Sequence, residues 1–240
     1  YVDEVLCIFP FEIEMYQKEG INVHYCGHPL IKQLPEKADR EQFFAKHGLD
    51  TTRPLVSIFP GSRTIELRFL ANTFIKSAKQ LQKKHPEIQF CISHAPNLSD
   101  DIFDKYINGT DFKVIKGENQ ALLSISDSLI LASGTVALEA ALYQIPMIIG
   151  YKGPWILYLA YLLVRCIKKV SLPNIITGED IVPELIQAKF NTENICYETE
   201  KNLYNKEYRI GFIKALGMVK EKLSDKYSAE EVANEIIKAL

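Results

Sequence analysis

The sequence lacks most features that would assign its 240 residues to a common functional class. Its charges nearly balance, with 28 basic and 30 acidic side chains, which argues against a nucleic-acid-binding protein. The cysteines are odd in number, scattered and without a CxxC pair. They predict buried thiols in a reducing compartment rather than a disulfide framework or a zinc site (Cys7, Cys26, Cys91, Cys166 and Cys196).

Familiar catalytic and cofactor motifs are also absent. There is no Gly-x-Ser-x-Gly, no Walker lysine loop and no GxGxxG. Nucleophilic hydrolases, ATPases and dinucleotide-binding enzymes therefore lose support. The five histidines are dispersed and form no metal-binding pattern (His24, His28, His47, His85 and His94).

The longest apolar run, Trp155 to Val164, is too short to cross a bilayer, because a spanning helix needs about 20 residues. It predicts a buried helix or one lying at a membrane surface. The chain starts at Tyr1 without an initiator Met and enters a strand pattern almost at once. We therefore expect it to be a fragment of a longer polypeptide.

Short β-rich runs alternate with helical patterns as far as Tyr151. The runs are VLCIF, INVHYC, PLVSIF, IQFCIS, FKVI, SLILA and PMIIG, and helices are predicted over residues 12–18, 40–47, 65–84, 98–106, 120–126 and 136–143. This alternation predicts an α/β fold with a Rossmann-like parallel sheet covered on both faces. Beyond Tyr151 the pattern predicts helices only.

The turn Pro-Gly-Ser-Arg follows one predicted strand and leads directly into a helix. Ligands of parallel sheets bind at the carboxyl ends of strands, and a helix start there offers free backbone N–H groups. Gly61 would allow close approach of a ligand, Ser62 would cap the helix, and Arg63 fits phosphate oxygens. A diphosphate is the predicted ligand. The alternative is that Arg63 only pairs with Glu66 one turn later.

A second such turn, Ser133-Gly134-Thr135, follows the strand SLILA. Glu139 lies one helical turn after Thr135, so its carboxylate could accept both hydroxyls of a ribose while the turn donates to phosphate. Taken alone, this segment also fits a capped helix with one acidic residue favoured by the dipole. Two phosphate-type turns in one sheet favour the two ends of a single nucleoside diphosphate.

A third segment, VSLPNIITGEDIVPELIQ, contains Pro173, Gly178 and Pro183, which predict that no regular element runs through it. Glu184 and Gln187 are expected one turn apart on a short helix. Asn174 could bond a sugar or phosphate, although a loop asparagine more often satisfies its own turn.

Six motifs, in this order along the whole chain, resemble those of the lipid-A-disaccharide synthase family: PFE (Pro10–Glu12), GHPL (Gly27–Leu30), PGSR with Glu66, LASGT-xx-LE (Leu131–Glu139), PMIIGY and SLPN. That family consists of GT-B glycosyltransferases, which have two Rossmann-like domains. The resemblance implies an inverting hexosyltransferase of lipid A and lipopolysaccharide biosynthesis. It would join UDP-2,3-diacylglucosamine to 2,3-diacylglucosamine 1-phosphate, without a metal or other cofactor.

The resemblance also implies roles for individual residues. Arg63 would stabilise the departing diphosphate and Glu139 would hold the ribose. The remaining donor-site residues would be Gly61, Ser62, Ser133, Gly134, Thr135 and Asn174, with Tyr151 bordering the pocket. The general base and most of the acceptor surface would lie upstream of Tyr1.

The implied organisation has three parts. Residues 1–34 would end the N-terminal acceptor domain, 35–205 would form the UDP-sugar-binding domain, and 206–240 would be helices crossing back to the N-terminal domain. The resemblance implies a cytoplasmic protein peripherally associated with the bacterial inner membrane, and a homodimer is possible. The alternatives are a UDP-GlcNAc 2-epimerase, a GlcNAc transferase with a lipid acceptor, or a non-catalytic nucleotide-binding or interaction domain.

Overall fold

The computed structural model describes residue 2 and residues 4–154, 169–223 and 228–239. Its strands are β1 (Glu4–Cys7), β2 (Asn22–Tyr25), β3 (Leu55–Phe59), β4 (Gln89–His94), β5 (Lys113–Lys116), β6 (Ser128–Ala132), β7 (Met147–Tyr151) and β8 (Glu184–Ile186). The α-helices up to β7 are α1 (Phe11–Lys18), α2 (Leu30–Gln33), α3 (Arg40–His47), α4 (Thr64–Lys84), α5 (Asp100–Ile107), α6 (Asn119–Ile125) and α7 (Val136–Leu142). Those after β7 are α8 (Leu172–Thr177), α9 (Thr192–Tyr204), α10 (Lys206–Leu223) and α11 (Ser228–Ala239).

Strands β3 to β8 form one fully parallel sheet in the order β5-β4-β3-β6-β7-β8. The chain winds outward from β3 in one direction and then returns to place β6 on the other side of β3. This reversal is a topological switch point, where a crevice opens at the carboxyl ends of the two central strands. Phe59 pairs with Leu131 there, so both strands end at the same level.

Side chains of the central strands are buried on both faces of the sheet. Leu55 and Phe59 belong to one apolar cluster, which includes Phe44 of α3. Val56 and Ile58 belong to the other, which includes Phe74 of α4. The alternation matches the period of a strand. It confirms the predicted α/β sheet covered on both faces.

Strands β1 and β2 form a separate parallel pair. The C-terminal helices contact this pair: the Tyr25 hydroxyl donates to the carbonyl of Leu223 at the end of α10, and His24 Nδ1 lies 3.7 Å from the Glu235 carboxylate of α11. These contacts join the C-terminal helices to the first two strands. The domain boundaries themselves stay predictions.

The expectation that strands stop at Tyr151 is wrong. Residues 184–186 form β8, which pairs with β7, so Glu184 lies on an edge strand and not on a helix with Gln187. The segment SLPN also contains a regular element, α8, with Pro173 in its first turn and Gly178 at its C-terminus with a φ of 75°. A proline is tolerated in a first turn, where its missing N–H has no helical partner, and a glycine favours this left-handed ending.

The predicted apolar helix Trp155 to Val164 lies outside the described residues. Within the part of the chain that is described, no helix is long and apolar enough to cross a membrane.

Candidate functional site

One cavity of about 400 Å³ opens at the switch point, where β3 and β6 end. Ligand pockets usually measure about 300–1,000 Å³. Seven of the nine residues predicted for the donor site line this cavity: Gly61, Ser62, Arg63, Ser133, Gly134, Thr135 and Glu139. The two sequence turns, which are about 70 residues apart, are therefore brought together by the crossover between β3 and β6.

The turn after β3 is organised by Glu66, in the first turn of α4. Its Oε2 accepts hydrogen bonds from the backbone N–H groups of Ser62, at 2.8 Å, and Arg63, at 3.3 Å. Arg63 is the N-cap residue, and Ser62 does not cap the helix as predicted. A glutamate at this position closes a capping-box bond more directly than the Ser62 hydroxyl, which lies one residue too early.

The Arg63 side chain is 77% exposed, and its Nη1 lies 3.5 Å from Glu66 Oε1. The ion pair considered as an alternative to ligand binding is thus present. An exposed pair of this kind contributes little to stability, about 0–1 kcal/mol. Most guanidinium donors of Arg63 therefore stay available to an anion in the cavity.

The turn after β6 leaves Gly134 and Thr135 exposed, and no side chain caps α7. Ser133 is half-buried, and its hydroxyl donates to the Val170 carbonyl at 3.2 Å. This bond ties the wall of the cavity to the segment that precedes α8.

Glu139 is half-buried in the lining of the cavity, one helical turn into α7. Burial raises the pKa of its carboxyl above the ordinary 4.5, and a hydrogen bond from the Gln120 side chain acts in the opposite direction. A partly desolvated carboxylate accepts hydrogen bonds strongly, which suits it to the hydroxyls of a sugar.

Two further polar residues line the cavity and were not predicted from the sequence: Ser93 at the end of β4 and Asn119 at the start of α6. The Ser93 hydroxyl donates to Asn119 Oδ1 at 2.7 Å. The rule that ligands bind at the carboxyl ends of strands could have selected Ser93. Asn119 carries no such signal, since only the fold brings it beside Ser93.

Asn174 does not line this cavity. It is 1% exposed, and its side-chain nitrogen donates to the Val182 carbonyl and to Glu184, while its oxygen accepts from the Val182 N–H. These bonds fasten α8 to β8. The amide is thus engaged within the protein, although a donor-site role was predicted from the SLPN motif.

A larger cavity, of about 710 Å³, lies between β8 and helices α9 and α10, and Asn174 and Glu184 contribute to its wall. It lies beside β8, which is an edge strand of the sheet and is separated from β6 by β7. Its polar groups pair with one another, Lys201 with Glu198 at 3.0 Å, so we assign the candidate site to the switch point instead.

Tyr151 is also outside the lining of the candidate cavity. It ends β7, the strand beside β6, and its side chain is 42% exposed. Its predicted place at the border of the pocket stays a prediction.

Among the described residues, one group of three side chains could hold a metal ion: Glu4, His24 and Glu235. His24 contacts the two carboxylates through different ring nitrogens, at 2.6 Å for Glu4 and 3.7 Å for Glu235. This arrangement links β1, β2 and α11, and it does not line the candidate cavity.

Solved structures with a similar fold include the UDP-GlcNAc 2-epimerase from Neisseria meningitidis, with a TM-score of 0.62 and 15% identity over 92% of this chain and 58% of that one. Another is WaaG, a glycosyltransferase involved in lipopolysaccharide biosynthesis, with a TM-score of 0.54 and 16% identity over 97% of this chain and 62% of that one. The similarity confirms a GT-B-type fold.

Among curated proteins, lipid-A-disaccharide synthase of Geobacter sulfurreducens is 35% identical over all of this chain and 63% of its own length. The synthase of Coxiella burnetii (strain CbuG_Q212) is 33% identical over 98% of this chain and 62% of its own length. The chain thus spans less than two thirds of these relatives. The family model described as lipid-A-disaccharide synthetase matches residues 1–237. The chain belongs to the lipid-A-disaccharide synthetase family.

Proposed function

We propose that the cavity between β3 and β6 binds the UDP part of UDP-2,3-diacylglucosamine. The observation that carries this proposal is the convergence of the Arg63 guanidinium and the Glu139 carboxylate on one cavity at the switch point. The guanidinium suits the diphosphate and the carboxylate suits the ribose hydroxyls. The identity of the sugar is inferred from membership of the family, because the relatives are named for the synthesis of lipid A disaccharide.

In the proposed reaction, the 6-hydroxyl of 2,3-diacylglucosamine 1-phosphate attacks the anomeric carbon of the donor as the bond to UDP breaks. The attacking hydroxyl gives its proton to a general base of the acceptor domain. Arg63 stabilises the negative charge that develops on the departing diphosphate, the task that a metal performs in other transferases. No metal or other cofactor is part of the proposal.

The complete reaction is proposed for the whole protein, with residues 35–205 as the donor-binding domain, residues 1–34 as the end of the acceptor domain and residues 206–240 as helices returning to it. Both substrates carry acyl chains, so we place the enzyme at the cytoplasmic surface of the inner membrane. Basic residues beside an apolar segment favour an anionic membrane surface, and Arg165 and Lys168 follow the run from Trp155 to Val164 in the sequence. Dimer formation stays a prediction from sequence.

Titration of the 240-residue protein with UDP, CDP and inorganic phosphate tests the proposed site. We expect UDP to bind and inorganic phosphate to bind more weakly, because phosphate contacts only the Arg63 end of the site. CDP carries the same diphosphate and ribose, so its affinity relative to UDP measures the contribution of the base. Titration calorimetry measures the affinity of the protein for each of the three ligands. Absence of UDP binding, or equal affinity for UDP and phosphate, would contradict the proposal.

The raised pKa of Glu139 predicts a pH dependence of UDP binding. Only the carboxylate accepts hydrogen bonds from both ribose hydroxyls, so affinity should fall as the pH decreases through this pKa, which lies above 4.5. The Glu139→Gln variant should bind UDP more weakly than the parent at neutral pH. Because glutamine does not titrate, position 139 should cause no further loss of affinity as the pH decreases. Titration of UDP itself affects the parent and the variant equally. The ratio of their UDP affinities therefore reports the titration of Glu139 alone. A ratio that is constant with pH would exclude this role.

A further inference from the structure

The positive end of α4 is already occupied by a negative group of the protein. The Glu66 carboxylate accepts from the N–H groups of Ser62 and Arg63, and its side chain is 24% exposed. These are the donors that a phosphate would use at a helix N-terminus. Glu66 therefore fills the place predicted for the ligand.

The backbone of Gly61 packs closely against the side chain of Glu66. Its φ of 110° favours glycine, and a Cβ built there would lie 2.3 Å from Glu66 Oε2 and 2.7 Å from Glu66 Cβ. Any larger residue would collide with the glutamate. The glycine of the Pro-Gly-Ser-Arg turn thus makes room for Glu66.

The charge of Glu66 is largely balanced inside the turn. Two hydrogen bonds to backbone N–H groups and the dipole of the 21-residue α4 offset it. Its other oxygen, Oε1, faces the Arg63 guanidinium at 3.5 Å. The carboxylate thus holds both the backbone and the side chain of Arg63 and leaves the guanidinium exposed to the cavity.

We propose that Glu66 is a positioning residue that stays bonded to the turn when the ligand binds. The diphosphate then contacts this turn only through the Arg63 guanidinium, and the backbone N–H groups of Ser62 and Arg63 take no part. This inference rests on the proposed function, since it names the group of the turn that meets the diphosphate. The opposite mechanism is exchange, in which phosphate displaces Glu66 from the N–H groups.

The first experiment needs no ligand. Amide hydrogen exchange of Ser62 and Arg63 should be slow in the 240-residue protein and faster in Glu66→Ala, because their acceptor is lost. Glu41→Ala, which removes an exposed glutamate from the first turn of α3, is the matched control and should leave both amides protected. Fast exchange of these amides in the parent would overturn the inference whether or not UDP binds.

The second experiment is a double-mutant cycle on UDP affinity with Glu66→Ala and Arg63→Ala. Residues in one network show strong coupling, so Glu66→Ala should weaken UDP binding about tenfold when Arg63 is present but less than about twofold when it is absent. Binding of uridine, which has no phosphate, should change less than about twofold in all variants. A purely structural role of Glu66 would weaken uridine and UDP alike.

Two outcomes of the cycle would overturn the inference. Tighter UDP binding in Glu66→Ala would indicate exchange, and an equal loss in both Arg63 backgrounds would show that Glu66 does not act through Arg63. If the parent fails to bind UDP, the proposed function is wrong, while the exchange data still decide whether Glu66 holds the turn.

Discussion

Replacement of Glu184 by alanine should lower the free energy of unfolding by about 3–5 kcal/mol, since several buried donors would lose their acceptor at about 1–3 kcal/mol each. The carboxylate accepts hydrogen bonds from the N–H groups of Val170 and Ser171, from the Ser171 hydroxyl and from the Asn174 amide. Ser171 and Asn174 are buried, so water cannot readily replace the lost acceptor.

The Glu184→Ala substitution should also affect the wall of the candidate cavity. Val170, which Glu184 holds, accepts the hydrogen bond from the Ser133 hydroxyl in the cavity wall. We expect Glu184→Ala to weaken UDP binding as well as stability. Asn174, predicted as a donor-site residue, would influence the ligand by this indirect route.

Chemical denaturation monitored by circular dichroism measures the effect of Glu184→Ala. Glu179→Ala is a suitable control because Glu179 is an exposed glutamate of the same segment, and its loss should change stability by less than about 0.5 kcal/mol. If both variants unfold at the same denaturant concentration, the hydrogen-bond network does not stabilise this part of the fold.

Arg63→Ala and Glu139→Ala should weaken UDP binding by about 1.5–3 kcal/mol each, the usual scale for hydrogen bonds that involve a charged group. Their effects on other ligands should differ. Arg63→Ala should leave uridine affinity unchanged, because uridine has no diphosphate. Glu139→Ala should weaken uridine and UDP alike, because both carry the ribose.

Calorimetric titration of both variants with UDP and uridine measures this difference, and Arg63→Lys adds a control that keeps the charge but loses the planar fork. Lysine should restore part of the affinity for UDP, since it supplies a point charge without bidentate geometry. Unchanged UDP binding in both alanine variants would show that the cavity does not bind the nucleotide through these groups.

Much of the sheet could be predicted because its central strands are short, nearly continuous apolar runs. SLILA is β6 residue for residue, and the helix predicted over residues 40–47 is α3. Both turns of the site followed from their position between a buried strand and a helix. Which strands are neighbours was not evident in the sequence, since the return of the chain to place β6 beside β3 depends on long-range packing.

The parts that could not be predicted depend on single contacts or very short elements. Strand β8 has three residues and follows Pro183, so it gives no alternating pattern. The collision that requires glycine at position 61 is visible only when the Glu66 side chain is placed. Likewise, the side-chain amide of Asn174 is buried because it bonds to β8 and the residues before it. Because β8 was not predicted, the amide was expected to be available to a ligand.

A crystal structure of the protein with UDP tests the central claim most directly. We predict the diphosphate within hydrogen-bonding distance of the Arg63 guanidinium, and both ribose hydroxyls on the Glu139 carboxylate, in the cavity between β3 and β6. UDP bound in another crevice, or bound with only one of these side chains in contact, would contradict the claim that the two strand ends bind a single nucleotide.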